Sequence, residues 1–176
     1  MDHDFRFRIA GHPDAEKLGV IGPAIYAESY GHMWKDAGAY ADRLMTFGSH
    51  AVYDFIERAD TKTWVVESKQ QIVGFLSLVL RSPDPVELRA DGAEVSRIYL
   101  LAPARGRGLG VKLLAEADQY AREHGAGHLW LDAMKAAPWA WQTYRRWGFR
   151  EIGETSFPGN MQPQFKPMVV MRRPCA

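Results

Sequence analysis

A strand that passes into a helix through three closely spaced glycines, Arg105-Gly106-Arg107-Gly108-Leu109-Gly110, constrains this chain more than any other segment. Residues 93–101 are rich in β-formers and end at Pro103. From Val111 to His124 the apolar residues Val111, Leu113, Leu114, Ala117, Tyr120 and Ala121 fall on one helical face. Glycines at such a junction leave several backbone N–H groups exposed at a helix N-terminus. Those donors and the helix dipole attract an anion, and the missing side chains let a phosphate approach the backbone. Two phosphate-binding patterns do not fit. A P-loop needs G-x-x-x-x-G-K-[S/T], but Gly110 is followed by Val111-Lys112-Leu113. A dinucleotide fingerprint needs G-x-G-x-x-G, whose third glycine would fall at Val111 or Leu113.

The remaining elements follow from periodicity. Phe5-Arg6-Phe7-Arg8-Ile9 alternates as a half-buried strand does, and Gly11-His12-Pro13-Asp14 breaks it. Asp14 is expected to cap a helix that Pro23 restarts or kinks and that continues through Tyr30. Further helices are expected over about 35–46 and 49–59. The β-rich runs 63–67 and 72–80, separated by Ser68-Lys69-Gln70-Gln71, predict an antiparallel hairpin. Loop follows over 82–92. After the glycine-rich turn and its helix come a strand at 128–132, a helix from Ala136 to Trp147 with Pro138 in its first turn, and strands at 149–152 and about 166–172. This order predicts an α/β fold with helices covering a central sheet.

Composition sets outer bounds. With 176 residues the chain has the length of one domain, so residues 1–176 are read as a single unit. A chain this long buries roughly 70% of its unfolded surface and needs no staples. Its formal net charge of +1 calls for neither nucleic acid nor a membrane surface. The single cysteine, Cys175, excludes an intrachain disulfide and suits a reducing compartment. The start Met1-Asp2-His3-Asp4 is acidic and lacks an apolar run, so no secretory leader is expected. These features together predict a cytoplasmic protein. The histidines His3, His12, His32, His50, His124 and His128 show no paired metal-ligand spacing, so no metal site is expected.

A third reading of the turn fits. Arg105-x-x-Gly108-x-Gly110 matches the Q/R-x-x-G-x-G/A signature of the GNAT superfamily of N-acetyltransferases. Arg97-Ile98-Tyr99-Leu100 before it, and Tyr144-Arg145-Arg146-Trp147-Gly148-Phe149 after the next helix, resemble that family's acyl-CoA core in order and spacing. The likeness covers about residues 64–152. Glu28-Ser29-Tyr30, Ile72-Val73-Gly74-Phe75, Ile98-Tyr99-Leu100 and Ile152-Gly153-Glu154-Thr155-Ser156-Phe157 resemble the family's bacterial spermidine/spermine N-acetyltransferases. The resemblance implies a GNAT-type acyl-CoA N-acyltransferase fold with a mixed, mostly antiparallel sheet. It also implies acetyl-CoA as co-substrate, a small-molecule amine as acceptor, and direct attack in a ternary complex. A peptide acceptor, or a CoA-binding module without catalysis, are the alternatives. A homodimer stays open.

The same resemblance assigns roles. The strand before the signature splays from its neighbour, and the pantetheine arm pairs with backbone groups of Ile98 and Leu100, with Tyr99 pointing away. The amides from Arg105 through Gly106, Arg107, Gly108, Leu109 and Gly110 hold the pyrophosphate, and the two arginines add charge. Tyr144 supplies the proton to the leaving thiolate. Glu94, six residues before Leu100, stands where several members carry the general base, acting directly or through water. Asp132 is a further carboxylate candidate. Glu28 and Tyr30 border the acceptor pocket, and Glu28 would pair with an amine's charge. Where the family often has asparagine, seven residues before the tyrosine, this chain has Ala137.

Overall fold

A computed structural model describes residues 5–176; the acidic start 1–4 lies outside the described residues. Strands β1 (Phe5–Ile9), β2 (Thr61–Ser68), β3 (Gln71–Val79), β4 (Gly92–Leu100), β5 (His128–Met134), β6 (Arg150–Ser156) and β7 (Pro167–Pro174) form one sheet in the order β1-β2-β3-β4-β5-β7-β6. Every pairing is antiparallel except β4 with β5. This is the mixed, mostly antiparallel sheet expected. The order of elements along the chain does not reveal that β7 enters between β5 and β6. The hairpin of β2 and β3 turns through Lys69 and Gln70, whose φ angles of 50° and 64° are those of a tight two-residue turn.

Helices α1 (Ala15–Tyr30), α2 (Ala37–Met45), α3 (Ser49–Glu57), α4 (Leu109–Glu123) and α5 (Pro138–Arg146) cover the sheet. Strand alternation sorts the core into two faces. Trp64, Val66, Leu76 and Leu78 meet Leu109, Leu113, Leu114, Ala117 and Ala121 of α4. Val65, Ile72 and Phe75 meet Ala15 and Leu18 of α1 and Val52 of α3. A smaller cluster of Met33, Met134, Phe157, Met161 and Met168 closes the far end around α5.

Two local expectations change. Pro23 neither restarts nor breaks α1, which runs unbroken from Ala15 to Tyr30. An interior proline costs about 3 kcal/mol. Burying Leu18, Ile25 and Tyr26, none more than 3% exposed, returns roughly 1.5–3 kcal/mol each and outweighs it. Asp14 stands at the N-cap of α1 but makes no capping bond there. Its carboxylate instead accepts both arms of the Arg8 fork, at 2.7 and 2.8 Å, and the Gly11 N–H. The Arg8 guanidinium holds the Asp14 carboxyl below its ordinary range.

Candidate active site

The sheet opens where β4 leaves β5. The two strands pair only at Gly92, Ala93 and Glu94, opposite His128, Leu129 and Trp130. Beyond that, β5 stays paired with β7 while β4 continues to Leu100 alone on that side. A bulge accompanies the divergence. Val95 faces Leu78 and Arg97 faces Ser77, so Ser96 is an extra residue on β4. Bulges bend a strand and increase its twist. This one also resets the alternation. Opposite Val79, Ser77 and Phe75 stand Glu94, Arg97 and Tyr99, so these three share one face. Val95, Ile98 and Leu100 turn to the other face, against the α4 core.

The free edge of β4 carries backbone groups without a strand partner. Leu101 donates its N–H to Val73 of β3 at 2.9 Å, so alternate residues, Leu100 and Ile98, direct theirs to the open side. The Leu100 carbonyl accepts a bond from Arg105 Nε at 3.0 Å. Arg105 then reaches Glu28 at 2.8 Å. The pair ties the start of the glycine-rich turn to α1.

Within that turn Gly106 and Gly108 are left-handed, with φ of 75° and 73°, and a Cβ at either would meet nothing within 4 Å. Such residues turn successive N–H groups toward one concavity, a receptor for an anion at the head of α4. Gly110 has a different reason to be glycine: a Cβ there would lie 2.6 Å from the Trp147 ring. Leu109 is fully buried, so only its backbone faces the turn. Arg107 lies 5.9 Å from the Phe5 ring centroid, at the outer edge of the sheet.

Two cavities flank the opening. The first, about 260 Å³, runs from Arg105 and Gly106 along Ile98, Tyr99 and Leu100 to Tyr30, Trp139, Tyr144 and Trp147. The second, about 570 Å³, lies between β4 and β5 and is lined by Glu94, Arg97, Asp132, Arg43, Tyr26 and Phe157 among others. Tyr30, Ile98, Tyr99, Ala140 and Tyr144 border both. Tyr144 projects from α5 against Trp147 and Phe149, with ring centroids 5.7 and 6.2 Å away. Its hydroxyl makes no hydrogen bond among the described residues. Burial raises the proton affinity of the Tyr144 and Tyr99 phenols above the ordinary value and lifts Tyr30 to about 12. All three are therefore protonated donors at neutral pH.

Glu94 accepts a bond from Ser82 Oγ at 3.0 Å. Burial raises its proton affinity, the Ser82 bond opposes this, and nearby Asp132 adds to it. Asp132 is open to water in the wall of the cavity, yet its enclosure likewise raises its proton affinity. A carboxylate so poised takes up a proton more readily than an exposed one.

The structure therefore brings Tyr144, Glu94, Tyr30, Tyr99, Ile98, Leu100, Arg105 and Gly106 together around the opening. Glu28 does not join them: its carboxylate faces Arg105 and lines neither cavity. Ala137 is fully buried at the start of α5 and offers no side-chain hydrogen bond. Two cavity residues were given no role by sequence, Arg43, which lies in no motif, and Arg97, quoted only as part of its strand. Period-two alternation separates Arg97 from Glu94, and only the bulge at Ser96 puts them on one face.

An open strand edge beside an anion-receptive turn is the scaffold of an acyl-CoA-dependent acyltransferase. The chain belongs to the Acetyltransferase (GNAT) family, whose model matches residues 25–149. Streptothricin acetyltransferase of Streptomyces lavendulae is 38% identical over 98 residues, covering 55% of this chain and 49% of the relative. The chain spans about half the length of the curated relatives it matches. Among solved structures, the PaiA N-acetyltransferase of Thermoplasma acidophilum in complex with coenzyme A superposes with a TM-score of 0.76 at 16% identity, over 97% of this chain and 99% of that one. Spermidine N-acetyltransferase from Vibrio cholerae, in complex with CoA and spermine, gives 0.66 at 17% identity, over 97% and 95%. At these identities the likeness is one of fold.

Proposed function

We propose that residues 1–176 form one acetyltransferase domain that moves an acetyl group from acetyl-CoA to a primary amine of a small molecule, in the cytoplasm and by direct attack within a ternary complex. One observation carries the reading: the two cavities share a wall that includes Tyr144, so donor and acceptor can be held at once. The donor residues suit the co-substrate. The N–H groups of Gly106 to Gly110 receive its pyrophosphate, and Ile98 and Leu100 offer an added strand's hydrogen bonds to its pantetheine arm.

In the reaction the amine nitrogen bonds to the acetyl carbon as the carbon–sulfur bond breaks. The ammonium proton leaves to the Glu94 carboxylate, directly or through water. Tyr144 Oη gives its proton to the departing thiolate and is restored by the second proton, which the nitrogen loses as the amide forms. Positioning of this kind supplies up to roughly 7–11 kcal/mol in ideal model reactions, and general acid–base help adds about 10²–10⁴.

A polyamine is the acceptor the spermidine/spermine resemblance suggests, and Glu94 with Asp132 favours a cationic one. Two arginines in the same cavity count against a polycation, and Glu28, the expected partner for its charge, is engaged by Arg105. Release of free thiol from acetyl-CoA, measured across amines, polyamines and peptides, tests the reading. Amine-dependent release supports it. CoA binding without release for any acceptor would instead favour a binding module, and release with peptides alone would favour a protein acceptor.

A further inference from the structure

We propose that the acceptor is a zwitterion, an amino acid whose amine meets Glu94 and Asp132 while its carboxylate is held by Arg43 and Arg97. This rests on the acetyl-transfer reading and names the substrate class of the same site. The Arg43 guanidinium lies 5.2, 5.0 and 5.2 Å from the ring centroids of Tyr26, Phe47 and Phe157. It makes no hydrogen bond among the described residues, and its Nε is buried without a partner. Three aromatic faces hold the cation in place, yet its donor fork is unused. Arg97 sits 4.4 Å from the Phe47 centroid, on the ring that Arg43 also approaches, and donates once, to the Thr46 carbonyl at 2.8 Å.

Two guanidinium groups thus share one ring, and no carboxylate lies within 4 Å of either among the described residues. Burial lowers the proton affinity of Arg97, Arg43 adds to this, and Tyr99 and Glu94 oppose it. Glu94 and Asp132, in the same cavity, have no cation within that distance either. A half-buried arginine pair with no carboxylate in contact is an incomplete arrangement. A guanidinium fork matches a carboxylate, which it binds through two parallel hydrogen bonds. A polyamine would satisfy the carboxylates and meet the arginines as like charge. A simple anion would do the reverse. A molecule with one charge of each sign answers both pairs. The cavity, about 570 Å³, falls within the ~300–1,000 Å³ of small-molecule sites.

Matched acceptors provide the test: lysine against cadaverine and ornithine against putrescine, which differ only by the carboxylate. Wild-type protein is expected to show kcat/KM at least tenfold higher for each amino acid than for its diamine. Arg43→Gln should cut that preference at least tenfold, Arg43→Lys less. Calorimetry with CoA, run on each variant, shows that the fold and the donor site persist. The wild-type comparison needs no variant. Equal or better use of the diamines, or a preference untouched by Arg43→Gln in a protein that still binds CoA, would overturn the zwitterion. Acetylation of neither member of any pair, with CoA bound, would also overturn it. Failure to bind CoA would strike the underlying functional reading instead.

Discussion

At the scale of single residues, the roles proposed for Tyr144 and Glu94 can be separated by what each substitution leaves intact. Tyr144→Phe keeps the ring that packs on Trp147 and Phe149, so the fold and the affinity for acetyl-CoA should barely change. Turnover should fall roughly ten- to a thousand-fold, about 1.4–4 kcal/mol of barrier. A tyrosine present only for packing would keep its turnover. Glu94→Gln should lower turnover by about 10²–10⁴ near neutral pH and by less at high pH, where the free amine needs no base. The sign of the pH dependence follows from burial. Glu94 binds its proton more tightly than the ordinary value of 4.5, so the acidic limb of kcat/KM should lie above that of an exposed glutamate and vanish in the variant. The same shift means that the stability Glu94 contributes is fully present below pH 4.5. That gain is lost as pH rises through the raised value, so Glu94→Gln should melt at or above the wild-type temperature at pH 7. The place of Tyr144 in the cavity wall was legible in the sequence because Tyr-x-x-x-Gly-Phe closes a helix at fixed spacing. Arg43 was not: it is one arginine on a short amphipathic helix, and only the packing of α2 over Tyr26, Phe47 and Phe157 turns it into the cavity.

At the scale of elements, the strand–turn–helix unit could be read almost whole, because three glycines and a clean helical period leave few alternatives. Helix α4 begins at Leu109, two residues earlier than its apolar period indicates, because Gly108 supplies the left-handed residue that starts it. The turn makes a prediction that separates strain from charge. Aspartate and asparagine at position 108 pay similar costs for φ of 73°, and both side chains tolerate that region better than most. Only aspartate puts a negative charge where the pyrophosphate would sit. Gly108→Asp should therefore bind CoA at least tenfold more weakly than Gly108→Asn in calorimetry, about 1.4 kcal/mol or more. Equal affinities would remove the phosphate from this turn. The bulge on β4 left no such mark. Nothing in Val95-Ser96-Arg97 announces an extra residue, and bulges arise from the pairing of two strands rather than from one strand's composition. The continuity of α1 through Pro23 was hidden for a related reason: local propensity argued for a break, and burial of the helix's inner face overrode it.

At the scale of the whole molecule, the seven strands and five helices of the described residues form one arrangement. The sheet parts between β4 and β5, and residues of α1, α2 and α5 line the opening. The α/β class followed from the element order, but the entry of β7 between β5 and β6 did not. That entry matters to the opening, since β7 pairs with β5 along its full length while β4 departs. On the proposed reading, this opening holds acetyl-CoA and an amine together, with Tyr144 between them. Initial velocities of thiol release, measured while both substrates are varied, test it most directly. Intersecting double-reciprocal lines are predicted, because both substrates must be bound before either product leaves. Parallel lines, the mark of an acetylated enzyme formed and discharged in turn, would contradict it.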